Sequence, residues 1–197
     1  SANTISMTDL RRRVAGVFDS IVTERLRLRR PLASDLAAIP EPIDEDWWVL
    51  TVETLDGGQI IGEVSFTLQC EGRAAEIGYA LAREHWGNGY AHEATGGLVD
   101  WLFSDSNRTR ISAILHPENH RSARVVERLG FVHEGHTRLS GWAGDENTDD
   151  WVYGITRTDY DAWRARPTGP PERVILEEMT WDKVRPIIAL STHKSQE

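Results

Sequence analysis

The sequence predicts a mixed α/β domain, and three observations carry that reading. Residues 47–55 and 59–68, WWVLTVETL and QIIGEVSFTL, are rich in β-branched and aromatic residues, and Asp56-Gly57-Gly58 between them makes a hairpin turn. Residues 74–82 continue as a third antiparallel strand after the Glu71-Gly72 turn. From residue 84 to residue 131 the order becomes glycine turn, helix, strand, helix and strand. Such alternation implies α/β crossovers, and it puts the glycine turn at the carboxyl end of a strand, where ligands collect.

Composition narrows the class. A chain of 197 residues is most simply one domain with room for a real core. Its formal charge of -9 argues against nucleic acid as a partner and favours the approach of cations. The single cysteine, Cys70, excludes an internal disulfide and leaves no cysteine-based metal constellation. No long apolar run and no basic-plus-apolar leader is visible, so neither a membrane span nor a signal peptide is expected, and the expected compartment is the cytoplasm.

The remaining elements follow in chain order. Leu10, Val14, Val17, Phe18 and Ile21 recur at helical spacing over residues 8–21, which predicts an N-terminal helix lying on the domain. Residues 23–30, TERLRLRR, alternate as a half-buried first strand with the arginines outward. Residues 32–39 supply at most two helical turns, capped by Ser34 or Asp35, before Pro40 and Pro42. Ala94, Leu98, Trp101 and Leu102 mark one face of a helix over residues 92–105. Gly96 and Gly97 weaken that helix by roughly 1 kcal/mol each relative to alanine, so something must approach it closely. A short strand at residues 110–115 precedes a helix at residues 119–129 with Gly130 as its stop, and Phe131 opens another strand. Residues 140–150, SGWAGDENTDD, have turn composition and predict a mobile loop before a last strand at residues 151–157. The expected organisation is a helical extension at residues 1–22, a domain at residues 23–165, and a C-terminal extension at residues 166–197 packed on the domain or on a partner subunit.

Chemistry centres on EHWGNGYAHEA, residues 84–94. Gly87 and Gly89 permit a tight turn and leave its N–H groups unshielded in front of a helix N-terminus, a setting suited to diphosphate. Glycine pairs also make ordinary turns, so the motif alone decides nothing.

Two stretches in the right order do more. AEIGYALAREHWGNGYAHEA and HPENHRSARVVERLGFVHEG together resemble the GNAT acyl-coenzyme A transferases, in the branch of RimJ- and RimL-type N-terminal acetyltransferases of ribosomal proteins, over about residues 23–163. The resemblance implies a central, mostly antiparallel twisted sheet, splayed between its fourth and fifth strands and flanked by helices. It implies acetyl-coenzyme A as cosubstrate, with its pyrophosphate on Gly87, Asn88, Gly89, Tyr90 and Ala91. Trp86 stands where the family usually has Arg or Gln, which removes one side-chain donor. Pantetheine would lie along the strand end at Tyr79, Ala80 and Leu81 like an added strand. The Leu81 N–H would then face the thioester carbonyl as an oxyanion donor. Asn119 matches the asparagine that bonds the pantetheine arm, and the same residue type serves equally as a plain N-cap.

The resemblance also implies an N-acetyltransferase that passes acetyl to a primary amine, a protein N-terminus or a small cationic amine, by direct attack in a ternary complex. Candidate bases are Glu76, preferred because the family often places a carboxylate there, and Glu134. Glu76 is equally read as the polar face of an alternating strand. The family's thiol acid, a helix tyrosine, is replaced by Val126, which leaves Ser122 near the sulfur as a hydrogen-bond donor, or simply as a helix-surface serine. The histidines form no convincing ligand face, so no metal is expected. Two helices that usually wall the acceptor site shrink here to residues 32–46. The N-terminal helix, the tail after Pro167 or a second subunit of a homodimer are the candidates to replace them. A different class of function, a catalytically silent coenzyme A-binding regulatory or scaffolding module, would keep the cradle and lack a base.

Overall fold

Alternation and turn chemistry build an eight-stranded sheet in the computed structural model, which describes residues 20–35 and 46–166. The strands are β1 (Ser20–Val22), β2 (Leu26–Arg29), β3 (Trp48–Thr54), β4 (Ile60–Gln69), β5 (Ala74–Leu81), β6 (Arg110–Leu115), β7 (Val132–Ala143) and β8 (Glu146–Thr156). Their order across the sheet is β1-β2-β3-β4-β5-β6-β8-β7. Every neighbouring pair is antiparallel except β5 and β6. The helices are α1 (Tyr90–Ser104), α2 (His120–Arg128) and α3 (Arg157–Ala165).

Period-2 alternation divides the sheet into two faces. Leu26, Leu28, Leu50, Val52, Val64, Phe66, Ala75 and Ile77 are buried on one face, with Ala94, Leu98 and Leu102 of α1 and Val126 of α2 in the same core. The two glycines of α1 explain its fit. A Cβ on Gly97 would stand 2.7 Å from Thr23 Cγ2, and one on Gly96 would stand 3.2 Å from Leu129, so their absence lets the β1–β2 turn and the end of α2 close on the helix. The close approach expected from the sequence is therefore present.

The expected splay falls between β5 and β6, which are the fourth and fifth strands when counting starts at β2. These two strands pair only from Ala74 with Arg110 to Ile77 with Ala113, and β5 then runs on to Leu81 paired with β4 but open on the β6 side.

Three expectations meet a different outcome. The helix at residues 8–21 lies outside the described residues except for its end, where Ser20 and Ile21 form β1 instead, paired with Arg29 and Leu28. The segment at residues 140–150 is no loop: it forms the arms of the β7–β8 hairpin, turning only at Gly144 and Asp145, with Gly144 at φ +63. Its polar residues support the pairing, since Ser140 Oγ donates to Asp150 at 2.8 Å and Leu139 N donates to Asp149 at 2.9 Å. Helix α3 stands where the sequence reading places no element. Its capping box, in which Thr156 and Asp159 each satisfy the other's backbone N–H, is nevertheless visible in the Thr-x-x-Asp spacing. Most of the two-turn helix at residues 32–39 and all of the tail beyond residue 166 lie outside the described residues. Asp35 itself accepts from Leu32 N at 2.7 Å and from Arg29 at 2.6 Å.

Gly62 locks the free end of β5 to β4. It pairs with Leu81 at φ +153, and a Cβ there would lie 2.2 Å from Ala80 O and 2.8 Å from Leu81 Cα. Backbone cannot retreat as a side-chain tip can. We expect Gly62→Ala to cost about 2–4 kcal/mol from overpacking and an unfavourable φ, read as a lower urea midpoint. A change below about 0.5 kcal/mol would mean that the β4–β5 contact yields freely.

Candidate coenzyme cradle and acceptor face

The cradle is built by a turn that hands straight over to a helix. Gly87 at φ +83 and Gly89 at φ +80 occupy the left-handed region, and Gly89 is the N-cap of α1 with no side-chain cap bond. The first intrahelical bond runs from Glu93 N to Gly89 O, so the N–H groups of Tyr90, Ala91 and His92 have no helical acceptor. A Cβ on Gly87 would meet nothing within 4 Å, which leaves open space in front of these donors. Together the five backbone positions from Gly87 to Ala91 offer what a diphosphate needs: unpaired N–H donors at the positive end of a helix dipole.

Arg25 completes this turn, although strand alternation reads its side chain as pointing to solvent. Its guanidinium donates to Asn88 O at 3.0 Å and lies 4.6 Å from the Tyr90 ring centroid. It also holds Glu93, to which Arg25 N donates at 2.6 Å, Arg25 Nε at 2.7 Å and Thr23 Oγ1 at 2.6 Å. Burial would raise the Glu93 pKa, but these bonds outweigh it and keep the carboxyl below its usual range. A negative charge in the first turn of an anion cradle is thereby neutralised.

The strand edge beside the splay follows from the β4–β5 register. Ala82 N donates to Ile61 O at 3.0 Å, so the antiparallel alternation turns the backbone groups of Ala80 and Gly78 toward β4. Those of Tyr79 and Leu81 face the gap left by β6. Of the three strand residues expected to bind coenzyme, Tyr79 and Leu81 therefore present backbone to the splay and Ala80 does not. Trp86, standing where the resemblance implies Arg or Gln, bridges two parts of the site. Its indole Nε1 donates to Leu81 O at 2.8 Å, and the guanidinium of Arg121 stacks 4.9 Å from its ring. Trp86 thus ties the end of β5 to the cradle and to α2.

Helix α2 supplies the next residues. Asn119 caps it, accepting from Ser122 N at 3.1 Å through Oδ1, which leaves its amide N–H groups free for another acceptor. Tyr79 Oη donates to Ser122 O at 2.8 Å, placing Ser122 at the splay, and burial pushes the Tyr79 pKa up to about 12. Val126 is fully buried in the core. A cavity of about 430 Å³ is lined by Trp86, Glu118, Asn119, His120, Arg121 and Arg124, between the cradle and α2. A larger one, about 990 Å³, lies on the other flank of α1 beside Thr23, His92, Gly96 and Trp163. It shares Gly89 and Arg25 with the cradle, whereas the smaller one touches Trp86 and the Asn119 cap of α2; neither is lined by the strand edge at residues 79–81.

Opposite the helices, register places Glu63, Ser65, Thr67, Glu76, Gly78 and Ala80 on one face. Glu76 is half-buried there and accepts from Gln69 Nε2 at 3.2 Å. Burial raises its pKa above the usual carboxylate range, the Gln69 bond opposes this, and the charge of Asp150 adds to it. Glu134 differs. Arg110 grips both of its carboxylate oxygens at the start of β6, the end away from the splay, and those bonds hold its pKa down. A paired, strongly ionised carboxylate is a poor proton acceptor. Among the described residues no group of three or more metal-ligating side chains occurs, and no helix is long and apolar enough to cross a membrane.

Known proteins share this fold. Residues 33–132 match the family model described as acetyltransferase (GNAT) domain. An uncharacterized N-acetyltransferase, p20 of Bacillus licheniformis, is 38% identical over 104 residues, which cover 52% of this chain and 58% of that protein. The chain spans about 60% of the length of the first curated relatives it matches. Mycobacterium smegmatis RimJ in complex with CoA-disulfide superposes with a TM-score of 0.63 at 20% identity, covering 73% of this chain and 90% of that one. Spermidine N-acetyltransferase from Vibrio cholerae in complex with CoA and spermine gives 0.59 at 22% identity, covering 69% and 98%.

Proposed function

The chain belongs to the GNAT acetyltransferase family, and from that premise we propose that it transfers acetyl from acetyl-coenzyme A to a primary amine, either a protein N-terminus or a small cationic amine. One observation carries the reading: an uncapped helix N-terminus behind the left-handed glycines Gly87 and Gly89 stands beside a strand edge whose backbone groups at Tyr79 and Leu81 lack a strand partner. The first suits a diphosphate and the second suits the amides of pantetheine.

The coenzyme would supply an activated acetyl thioester. Backbone N–H groups from Gly87 to Ala91 would hold its diphosphate, while Tyr79 and the Asn119 amide would hold the arm. Glu76 receives the proton that the amine loses, directly or through water. Its raised pKa makes it a better base than an ordinary carboxylate. Leu81 N–H donates to the acyl oxygen as negative charge grows there, and the Ser122 hydroxyl donates to the departing sulfur. No covalent enzyme intermediate is required: Cys70 is exposed in the β4–β5 turn, away from both the cradle and the splay.

Coenzyme A at a hundredfold excess over its Kd is expected to stabilise the protein by about 2.7 kcal/mol, a melting shift of roughly 5–10 °C. Acetyl-coenzyme A should be consumed with at least one member of an amine panel. A melting shift without turnover for any acceptor would favour the silent coenzyme-binding module, and no shift at all would sink both readings.

A further inference from the structure

Residues 86–91, which make the turn and open α1, contain no cationic side chain, and the formal charge of -9 disfavours a polyanionic ligand. Glu93 adds a negative charge in the first turn of the same helix. The cation that answers both comes from the turn between β1 and β2, which reaches α1 because Gly97 has no Cβ to keep Thr23 away. Arg25 Nε and Nη2 each lie 2.7 Å from Glu93 Oε2, and Nη1 donates to Asn88 O at 3.0 Å.

The bond to Asn88 O orients more than one side chain. In a trans peptide the C=O and the following N–H point in opposite directions. Holding Asn88 O toward Arg25 therefore aims the Gly89 N–H, one of the cradle's donors, to the other side of the turn. The guanidinium is itself fixed: it lies 4.6 Å from the Tyr90 ring centroid, and its Nη2 stands 3.5 Å from where a Cβ on Gly89 would be. A planar cation stacked on a ring and paired with a carboxylate keeps one orientation. Its charge matters as much as its shape. Glu93 also accepts from Arg25 N and Thr23 Oγ1 at 2.6 Å, so without the guanidinium the carboxylate would stay in place and ionised beside the diphosphate.

We propose that Arg25 is a positioning residue for the coenzyme: by fixing the Asn88–Gly89 peptide and cancelling the Glu93 charge, it lets the cradle accept a diphosphate and sets the preference for a phosphate-bearing acetyl donor. This rests on the acetyltransferase reading. Arg25 acts through Asn88 and Glu93 and touches no reacting atom, so its effect belongs to donor binding and scales with the donor's negative charge.

The test compares two donors on the full chain, acetyl-coenzyme A and S-acetylpantetheine, which has the same arm and no phosphate. Calorimetric binding of coenzyme A is measured alongside turnover with an amine that the wild-type protein accepts. Arg25→Gln should raise the Kd for coenzyme A and the KM for acetyl-coenzyme A by on the order of tenfold to a hundredfold, the effect of losing one charged hydrogen-bonded contact. It should leave kcat at saturating donor and kcat/KM for S-acetylpantetheine unchanged. Adding Glu93→Gln to Arg25→Gln should recover much of the coenzyme affinity, because the uncancelled charge is gone. Arg25→Lys, which keeps the charge and loses the planar fork, should show the same selective loss at smaller size, and it carries the test if Arg25→Gln does not fold. Equal losses with both donors would mark Arg25 as merely structural and overturn the proposal, as would unchanged coenzyme affinity in Arg25→Gln or no recovery in the double variant. Failure of the wild-type protein to bind coenzyme A would instead remove the acetyltransferase reading beneath it.

Discussion

Gly89→Val is expected to remove the melting shift with coenzyme A and to weaken binding by a hundredfold or more. The loss has two sources. A branched side chain at φ +80 forces the turn out of shape, and its bulk shields the N–H groups that face the diphosphate. Two charge-assisted bonds at about 1.5–3 kcal/mol each are enough for that factor. Strain alone costs about 1–3 kcal/mol, which a domain with ordinary stability survives. Gly57→Val separates the two effects: Gly57 sits at φ +85 in the β3–β4 turn, with nothing within 4 Å of its Cβ position, so it carries the same strain far from the cradle. The control should lose stability and keep its coenzyme shift. If both variants keep it, the diphosphate assignment is wrong.

Glu76→Gln should lower kcat by on the order of 10²–10⁴-fold at saturating coenzyme, the usual range for removing a general base. Its pH profile carries more information than the loss itself. A base must be ionised, and burial raises the Glu76 pKa, so wild-type activity should fall as pH drops through that raised value, at higher pH than an ordinary carboxylate would dictate. The Gln variant should lose that acidic limb. Asp150→Asn removes a negative charge that raises the Glu76 pKa, so it should move the limb to lower pH. An unchanged kcat for Glu76→Gln would pass the role to water, since Arg110 holds Glu134 ionised and paired.

The sequence is most legible where a single local rule is enough. Alternation finds β3, β4 and β5, helical spacing finds α1 and α2, and Gly130 at φ +89 ends α2 as expected. Gly87 and Gly89 are readable as a left-handed turn entering a helix, since glycine is the residue that adopts a positive φ at little cost. What escapes depends on side chains that satisfy each other across strands. Ser140, Asp149 and Asp150 look like turn formers, yet in the β7–β8 hairpin their oxygens bond across the ladder and hold the strands together. Arg25 reads as a solvated strand arginine, and only the packing of the β1–β2 turn on α1 brings it to Asn88.

The indole bond from Trp86 to Leu81 has a consequence for what the sheet refuses. An unpaired strand end is normally a template on which any extended peptide can propagate a ladder, and open sheets are exposed to aggregation through such ends. Here the terminal carbonyl is already taken, so the rungs left at the gap are those of Tyr79 and the Leu81 N–H. A polypeptide arriving in register would find its next acceptor occupied and stop. By taking that carbonyl, Trp86 limits how far a ladder can extend along this edge.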